Sequence, residues 1–220
     1  MEPVDRKGEL VRRVAFALRG RAGGKTPPAP VVAGAESTDG TARIARFRDR
    51  FEAQGGTFLE GTSLEPMLPH LGEALRLAGV SEILFPREDA GARLAAEALA
   101  PFGPFPIVSP AEARLTYTPL IAGIQTAEYA VAETGSIVQT SRGGKTLLPG
   151  LISEVHVALL TPAVFVERID DCLAPMASAP PRNISFITGP SRTGDIEQTM
   201  TVGAHGPKKV IAVLLTSPSP

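Results

Sequence analysis

Three polar stretches hold the side chains of this chain best suited to chemistry. The longest is Gly189-Pro190-Ser191-Arg192-Thr193-Gly194-Asp195-Ile196-Glu197, which follows the apolar run at residues 184 to 187. Gly189 and Gly194 have the two-glycine spacing of a phosphate-binding P-loop, but Asp195 and Ile196 stand where that loop needs a lysine and a hydroxyl residue. A carboxylate there repels phosphate oxygens, and Ile196 offers no oxygen to magnesium, so nucleotide binding by that mechanism is excluded. What is left is a turn rich in hydroxyls (Ser191, Thr193) and carboxylates (Asp195, Glu197), in which the amides near Gly194 and the Arg192 guanidinium can hold an anion. The competing reading is purely structural: Asp195 with Gln198 three positions on has the spacing of a capping box that starts a helix.

The second stretch is Glu133-Thr134-Gly135-Ser136, between two strand-like runs. It reads as a hairpin turn with Gly135 at positive φ. Glu133, next to an apolar run, is also expected to be partly buried, which would suit a carboxyl to acid, base or nucleophilic work. The third is Gly203-Ala204-His205-Gly206-Pro207, where glycines let the backbone approach a ligand and His205 can donate, accept or coordinate. No His-x-x-x-His or comparable metal-ligand spacing accompanies it, so no metal site is expected. His156 lies inside a strand-like run and reads as a satisfied sheet residue, and Cys172 reads as core. The sequence GGKT occurs at residues 23 to 26 and 143 to 146, but Arg19 and Gln139 stand where a P-loop needs its first glycine. Both copies therefore read as mobile loops carrying a solvated lysine.

The elements that must position these stretches fall into two textures. An amphipathic helix with Val4, Val11, Val14 and Leu18 on one face is expected first, followed by a Gly- and Pro-rich linker at residues 20 to 28, so that residues 1–30 stand apart from a single domain at 31–220. From about residue 31 to 108 helical and extended signals alternate: a helical face at Ile44, Phe47 and Phe51, a strand at 57 to 59, a helix at 67 to 78, a strand at 83 to 85, a helix at 89 to 100 and an extended pair at 107 to 108. After about residue 117 strands dominate, at 129 to 132, 137 to 140, 155 to 160, 184 to 187 and 210 to 215, with residues 164 to 175 helical. This pattern predicts an α/β unit with a mixed sheet flanked by helices, and fits a strict Rossmann fold less well.

The totals narrow the partners. The chain has 220 residues, 43% hydrophobic and 20% charged, enough for a sizeable core. A formal net charge of -1 gives no general reason to expect nucleic acid or an anionic membrane. One cysteine cannot form an internal disulfide or supply the thiolates of an iron-sulfur cluster or structural zinc site. No apolar run approaches the roughly 18 residues of a membrane span, and the N-terminus has no secretory pattern, so a cytoplasmic location is expected.

Taken in order and at these separations, ETGS at 133 to 136, GPSRTGDIE at 189 to 197 and GAHGP at 203 to 207 resemble the lactate-utilisation protein C family, the LUD-domain proteins. The resemblance is strongest from about residue 117 onward. It implies a sheet related to the sugar-phosphate isomerase and coenzyme A transferase superfamily, and a role in oxidising L-lactate to pyruvate alongside iron-sulfur partner proteins. The family's GPSKTADIE appears here with Arg192 for Lys and Gly194 for Ala, which keeps the positive charge but turns a point charge into a planar fork. On this reading the chain is an accessory or ligand-binding subunit with no cofactor of its own. Thr134, Gly135, Ser191, Arg192, Thr193, Gly194, Asp195, Glu197 and His205 gather around one pocket. Two other classes stay open: a self-sufficient enzyme acting on an anionic metabolite or acyl thioester with Glu133 as nucleophile or base, and a structural assembly protein.

Overall fold

Residues 155 to 160 (VHVALL) and 209 to 215 (KVIAVLL) are apolar on both faces, the pattern of strands covered from both sides. The computed structural model describes residues 39–108, 120–193, 201–202 and 206–217, with 192–193 and 201–202 described by their backbone. In it these two runs are neighbouring central strands. The expected helix and linker before residue 30 lie outside the described residues. The chain divides after Glu36, and every described residue belongs to the unit Ser37–Pro220.

The elements in chain order are α1 (Gly40–Ala53), β1 (Thr57–Gly61), α2 (Leu68–Leu77), β2 (Glu82–Leu84), α3 (Ala90–Ala98), β3 (Ile107–Val108), β4 (Ile121–Thr126), β5 (Tyr129–Val131), β6 (Ser136–Thr140), α4 (Leu148–Ile152), β7 (Val155–Leu160), β8 (Phe165–Val166), α5 (Ile169–Leu173), β9 (Ile184–Ile187), β10 (Arg192–Thr193), β11 (Thr201–Val202) and β12 (Lys209–Leu215). The α/β class with flanking helices is as expected, and the mixture of strand directions is divided between sheets. A six-stranded sheet in the order β1-β12-β7-β4-β2-β3 is wholly parallel. A four-stranded sheet in the order β8-β5-β6-β9 is mixed, with β5 and β8 parallel and the other pairs antiparallel. β10 and β11 form a separate antiparallel ribbon.

Alternation along the central strands sorts the core into layers. Val155, Val157 and Leu159 with Ile211 and Val213 meet Leu71 and Leu75 of α2 and Ala92, Ala95 and Ala96 of α3. The opposite face, with Ala158, Leu160, Ala212 and Leu214, meets α1 and the inner face of the mixed sheet through Ile137 and Ile187. There Phe47 stacks on Phe51 at 5.5 Å, meets Phe165 of β8 edge-on at 5.2 Å and lies 6.0 Å from Phe58 of β1, so one aromatic anchor joins α1 to both sheets. The outer face of the mixed sheet, with Val131 and Val138, is closed by Cys172 and Ile169 of α5.

Two sequence expectations change. Residues 164 to 175 are not one helix: Phe165 and Val166 extend and pair with Ala130 and Val131, and the helix is confined to Ile169–Leu173. β-branched and aromatic side chains on an open sheet edge gain more there than a helical turn offers. Second, Ile121-Ala-Gly-Ile-Gln-Thr is a central strand although its sequence is weakly apolar. A Cβ on Gly123 would sit 1.8 Å from the Pro149 carbonyl oxygen, so only glycine lets α4 lie on β4. Asp89 fixes the end of this strand: one carboxylate oxygen accepts from Ala92 N at 3.0 Å to cap α3, and the other accepts from Thr126 N at 2.7 Å. Among the described residues no helix is long and apolar enough to cross a membrane.

Candidate functional site

The ETGS turn joins β5 to β6, with Val131 opposite Ser136 in the antiparallel register. Gly135 has φ +70, as the sequence requires of a turn there, and its amide donates to Val131 O at 2.9 Å. A Cβ at this position would also meet Phe51 N at 2.5 Å, so the turn is seated against the C-terminal end of α1.

Glu133 does not have the burial expected of it. Its side chain is 37% exposed and lies 3.7 Å from Arg168 Nε, while its amide donates to Glu167 O at 3.0 Å. The carboxylate therefore faces solvent at the rim and pairs across to the residue before α5. The apolar neighbours that suggested burial, Val131 and Ala132, turn inward instead. Glu167 beside it is held by Arg46 and, at 3.9 Å, by Arg43 of α1.

The hydroxyls of the turn reach the second stretch. Thr134 Oγ1 donates to Ser136 Oγ at 2.8 Å, and Ser136 Oγ lies 2.9 Å from Thr188 Oγ1. Each hydroxyl has one proton to give. Ser136 accepts from Thr134, and between Ser136 and Thr188 either hydroxyl can be the donor. Thr188, Gly189 and Pro190 line a shallow cavity of about 280 Å³ together with Gln54. Thr188 stands one position ahead of the motif read from the sequence, and its value depends on Ser136 52 residues earlier.

The third stretch joins the same wall. Ser191 N donates to Pro207 O at 2.9 Å, and Gly206 sits against the Ser191 side chain. Of the candidate residues, Thr134, Gly135 and Ser191 thus lie on one connected set of turns, and the backbone of Arg192 and Thr193 continues it as β10. Gly194, Asp195, Glu197 and His205 lie outside the described residues, as does the capping box expected at Asp195.

A second polar group lies deep between the sheets. Gln125 of β4, Gln139 of β6 and His156 of β7 are 3% exposed or less. The Gln139 amide nitrogen is 3.3 Å from His156 Nε2, so the amide donates and the neutral ring carries its proton on Nδ1, which has no partner among the described residues. Burial holds the His156 pKa down at about 4. The sequence reading of a sheet histidine is right about the place, and one ring nitrogen has a partner in Gln139. Cys172 is core as expected; burial pushes its thiol pKa up, and the thiol donates to Ile169 O at 3.0 Å.

The lysine of the second GGKT is not solvated as a free loop residue would be. Residues 142 to 144 form a tight turn with Gly143 at φ +66 and Gly144 at φ +80, and Lys145 is partly buried. The first GGKT lies outside the described residues.

This geometry defines a class: an α/β protein in which a parallel sheet backs a mixed sheet, with the turns at 133 to 136 and 188 to 191 and residues 206 to 207 meeting at one end. Residues 111–215 match the LUD domain, the family that the three motifs resemble. A Lactate utilization protein C of Exiguobacterium sp. is 34% identical over 99 residues, 42% of this chain and 43% of that protein. One of Geobacillus sp. is 31% identical over 100 residues, 43% of this chain and 42% of that protein. The matched stretch thus spans less than half the length of these curated relatives. An uncharacterized protein of Neisseria meningitidis serogroup B is 28% identical over 150 residues, 65% of this chain and 64% of that one. The crystal structure of a DUF162 family protein from Deinococcus radiodurans superposes with a TM-score of 0.55 at 16% identity, covering 80% of this chain and 98% of that chain. At that identity the likeness is one of fold.

Proposed function

We propose that the chain is the ligand-binding, non-redox member of an L-lactate oxidation system, with electron transfer carried by iron-sulfur partner proteins. The names of its relatives support the lactate-utilisation part of this reading. A single cysteine in the sequence is too few to hold a cluster, which supports leaving the redox step to partners. The observation that carries the site is the hydroxyl chain Thr134–Ser136–Thr188, which ends at the cavity that Thr188 lines beside Gly189. A small hydroxy or keto acid needs several donors for its carboxylate and carbonyl oxygens, and oriented hydroxyls with nearby amides supply them. Arg192 is assigned the carboxylate and His205 the neighbouring oxygen.

The test is calorimetric titration of the full chain with L-lactate and with pyruvate, in the presence and absence of cysteine-rich iron-sulfur proteins. Saturable binding is expected. Thr188→Val and Ser136→Ala should each weaken it roughly five- to ten-fold, the share of about one hydrogen bond, and Arg192→Ala should weaken it further. Unchanged affinity in Thr188→Val and Arg192→Ala would move the ligand elsewhere. Turnover of an acyl thioester by the chain on its own, lost in Glu133→Gln, would replace this reading by the enzymatic one.

A further inference from the structure

We propose a second ligand site, one that takes an amphiphilic carboxylate, with its anionic head on Lys145 and its apolar body against Leu148 and Leu151. The site is a cavity of about 490 Å³ at the start of β9, bounded by the turn after β6 and by α4, within the roughly 300–1,000 Å³ typical of small-molecule sites. It is separate from the three turns. β6 runs from Ser136 at the turns to Thr140, next to Ser141 in this cavity, and five residues of strand span about 17 Å. The sequence motif GGKT, which fails as a phosphate loop, supplies its cation.

The lining selects the ligand. Lys145 forms no ion pair among the described residues, and no carboxylate side chain lines the cavity. One ammonium with no second cation matches a single negative charge, which favours a carboxylate over a phosphate dianion. Ser185 and Asn183 add polar contacts on the β9 side. The opposite wall is apolar: Leu151 is 49% exposed on α4, and it and Leu148 face the same space. Covering them with a hydrocarbon body removes apolar surface from water, which a three-carbon acid is too small to do. This wall is preformed. The Gln125 amide nitrogen donates to Thr146 O at 2.9 Å, tying the lysine-bearing segment to central strand β4, and the contact of Pro149 on Gly123 fixes α4. Little ordering entropy opposes binding in consequence.

Titration of the full chain with octanoate, followed by calorimetry, tests the site, with acetate, 1-octanol and octyl phosphate as comparison probes. Octanoate should saturate at submillimolar concentration, while acetate lacks the body and octanol the charge, so both should bind at least ten-fold more weakly. Lys145→Gln and Leu151→Asp should each weaken octanoate roughly ten-fold. Their side chains are partly exposed, and unchanged thermal melts would show the fold intact. Ser136→Ala should leave octanoate affinity unaltered, which separates this site from the hydroxyl site. The proposal is overturned if octanoate fails to saturate at millimolar concentration, or if Lys145→Gln binds it as tightly as the unaltered chain. Tighter binding of octyl phosphate than of octanoate would overturn the carboxylate assignment.

Discussion

His156 shows what a single side chain can cost when it is placed between two sheets. It stands opposite Gly123 and Val210 in the parallel register, fully buried, with the Gln139 amide as its side chain's one hydrogen-bond partner among the described residues. Its folded pKa is about 4 against an ordinary 6.5, so between those values the unfolded chain binds the extra proton. Stability contributed by the neutral ring is complete above pH 6.5, falls as pH drops toward 4, and falls no further below it. The full loss is about 3 kcal/mol. Urea melts at pH 7, 5.5 and 4.5 should show this slope in the unaltered chain and a shallower one in His156→Gln. Equal slopes in the two proteins would mean that the imidazole is not the titrating group. Thr188 illustrates the other side of residue-scale reading. Nothing in its neighbours singles it out, because its role is set by Ser136 and Thr134 across the β6/β9 pair.

At the scale of elements, Asp89 couples a helix to a strand. Its two carboxylate oxygens satisfy the first turn of α3 and the last residue of β4, and Thr126 Oγ1 donates to it as well at 2.7 Å. Removing it strips α3 of its cap and leaves the Thr126 amide without its acceptor. Asp89→Ala should therefore cost about 3 kcal/mol, read as a lowered urea midpoint with an unchanged slope. Asp89→Asn, which keeps one carbonyl acceptor, should lose less. What the sequence reveals of such elements follows from how local their causes are. The stripe Leu68, Leu71, Leu75 and the continuous runs of β7 and β12 are visible because each carries its own apolar pattern. β4 is not, since Gly123 and Gln125 dilute its apolar character. Their reasons lie in α4 and the Thr146 carbonyl, which are remote in sequence. The β5–β6 hairpin is legible through Gly135, whereas the burial expected of Glu133 fails because the turn points that carboxylate outward to Arg168. The cavity at Lys145 escapes local reading for the same reason: residues 183 to 185 complete it from the next strand.

For the whole molecule, three apolar clusters account for the layering, and all their members fall between Ile44 and Leu215. The strand order explains why they act together. β12, the last strand, lies between β1 and β7, so the parallel sheet cannot close until the C-terminal residues have been inserted between elements from the start and middle of the unit. Such long-range pairing predicts that unfolding is a single transition. The division after Glu36 then predicts a physical boundary. A chain beginning at Ser37 retains every described core residue and every strand, and so should melt in one transition within about 3 °C of the full chain, a shift that corresponds to less than about 1 kcal/mol. It should also keep octanoate binding, since the residues bounding that cavity lie between Ser141 and Ser185. A fall of ten degrees, or a broad uncooperative melt, would show that residues 1–36 supply part of the core instead.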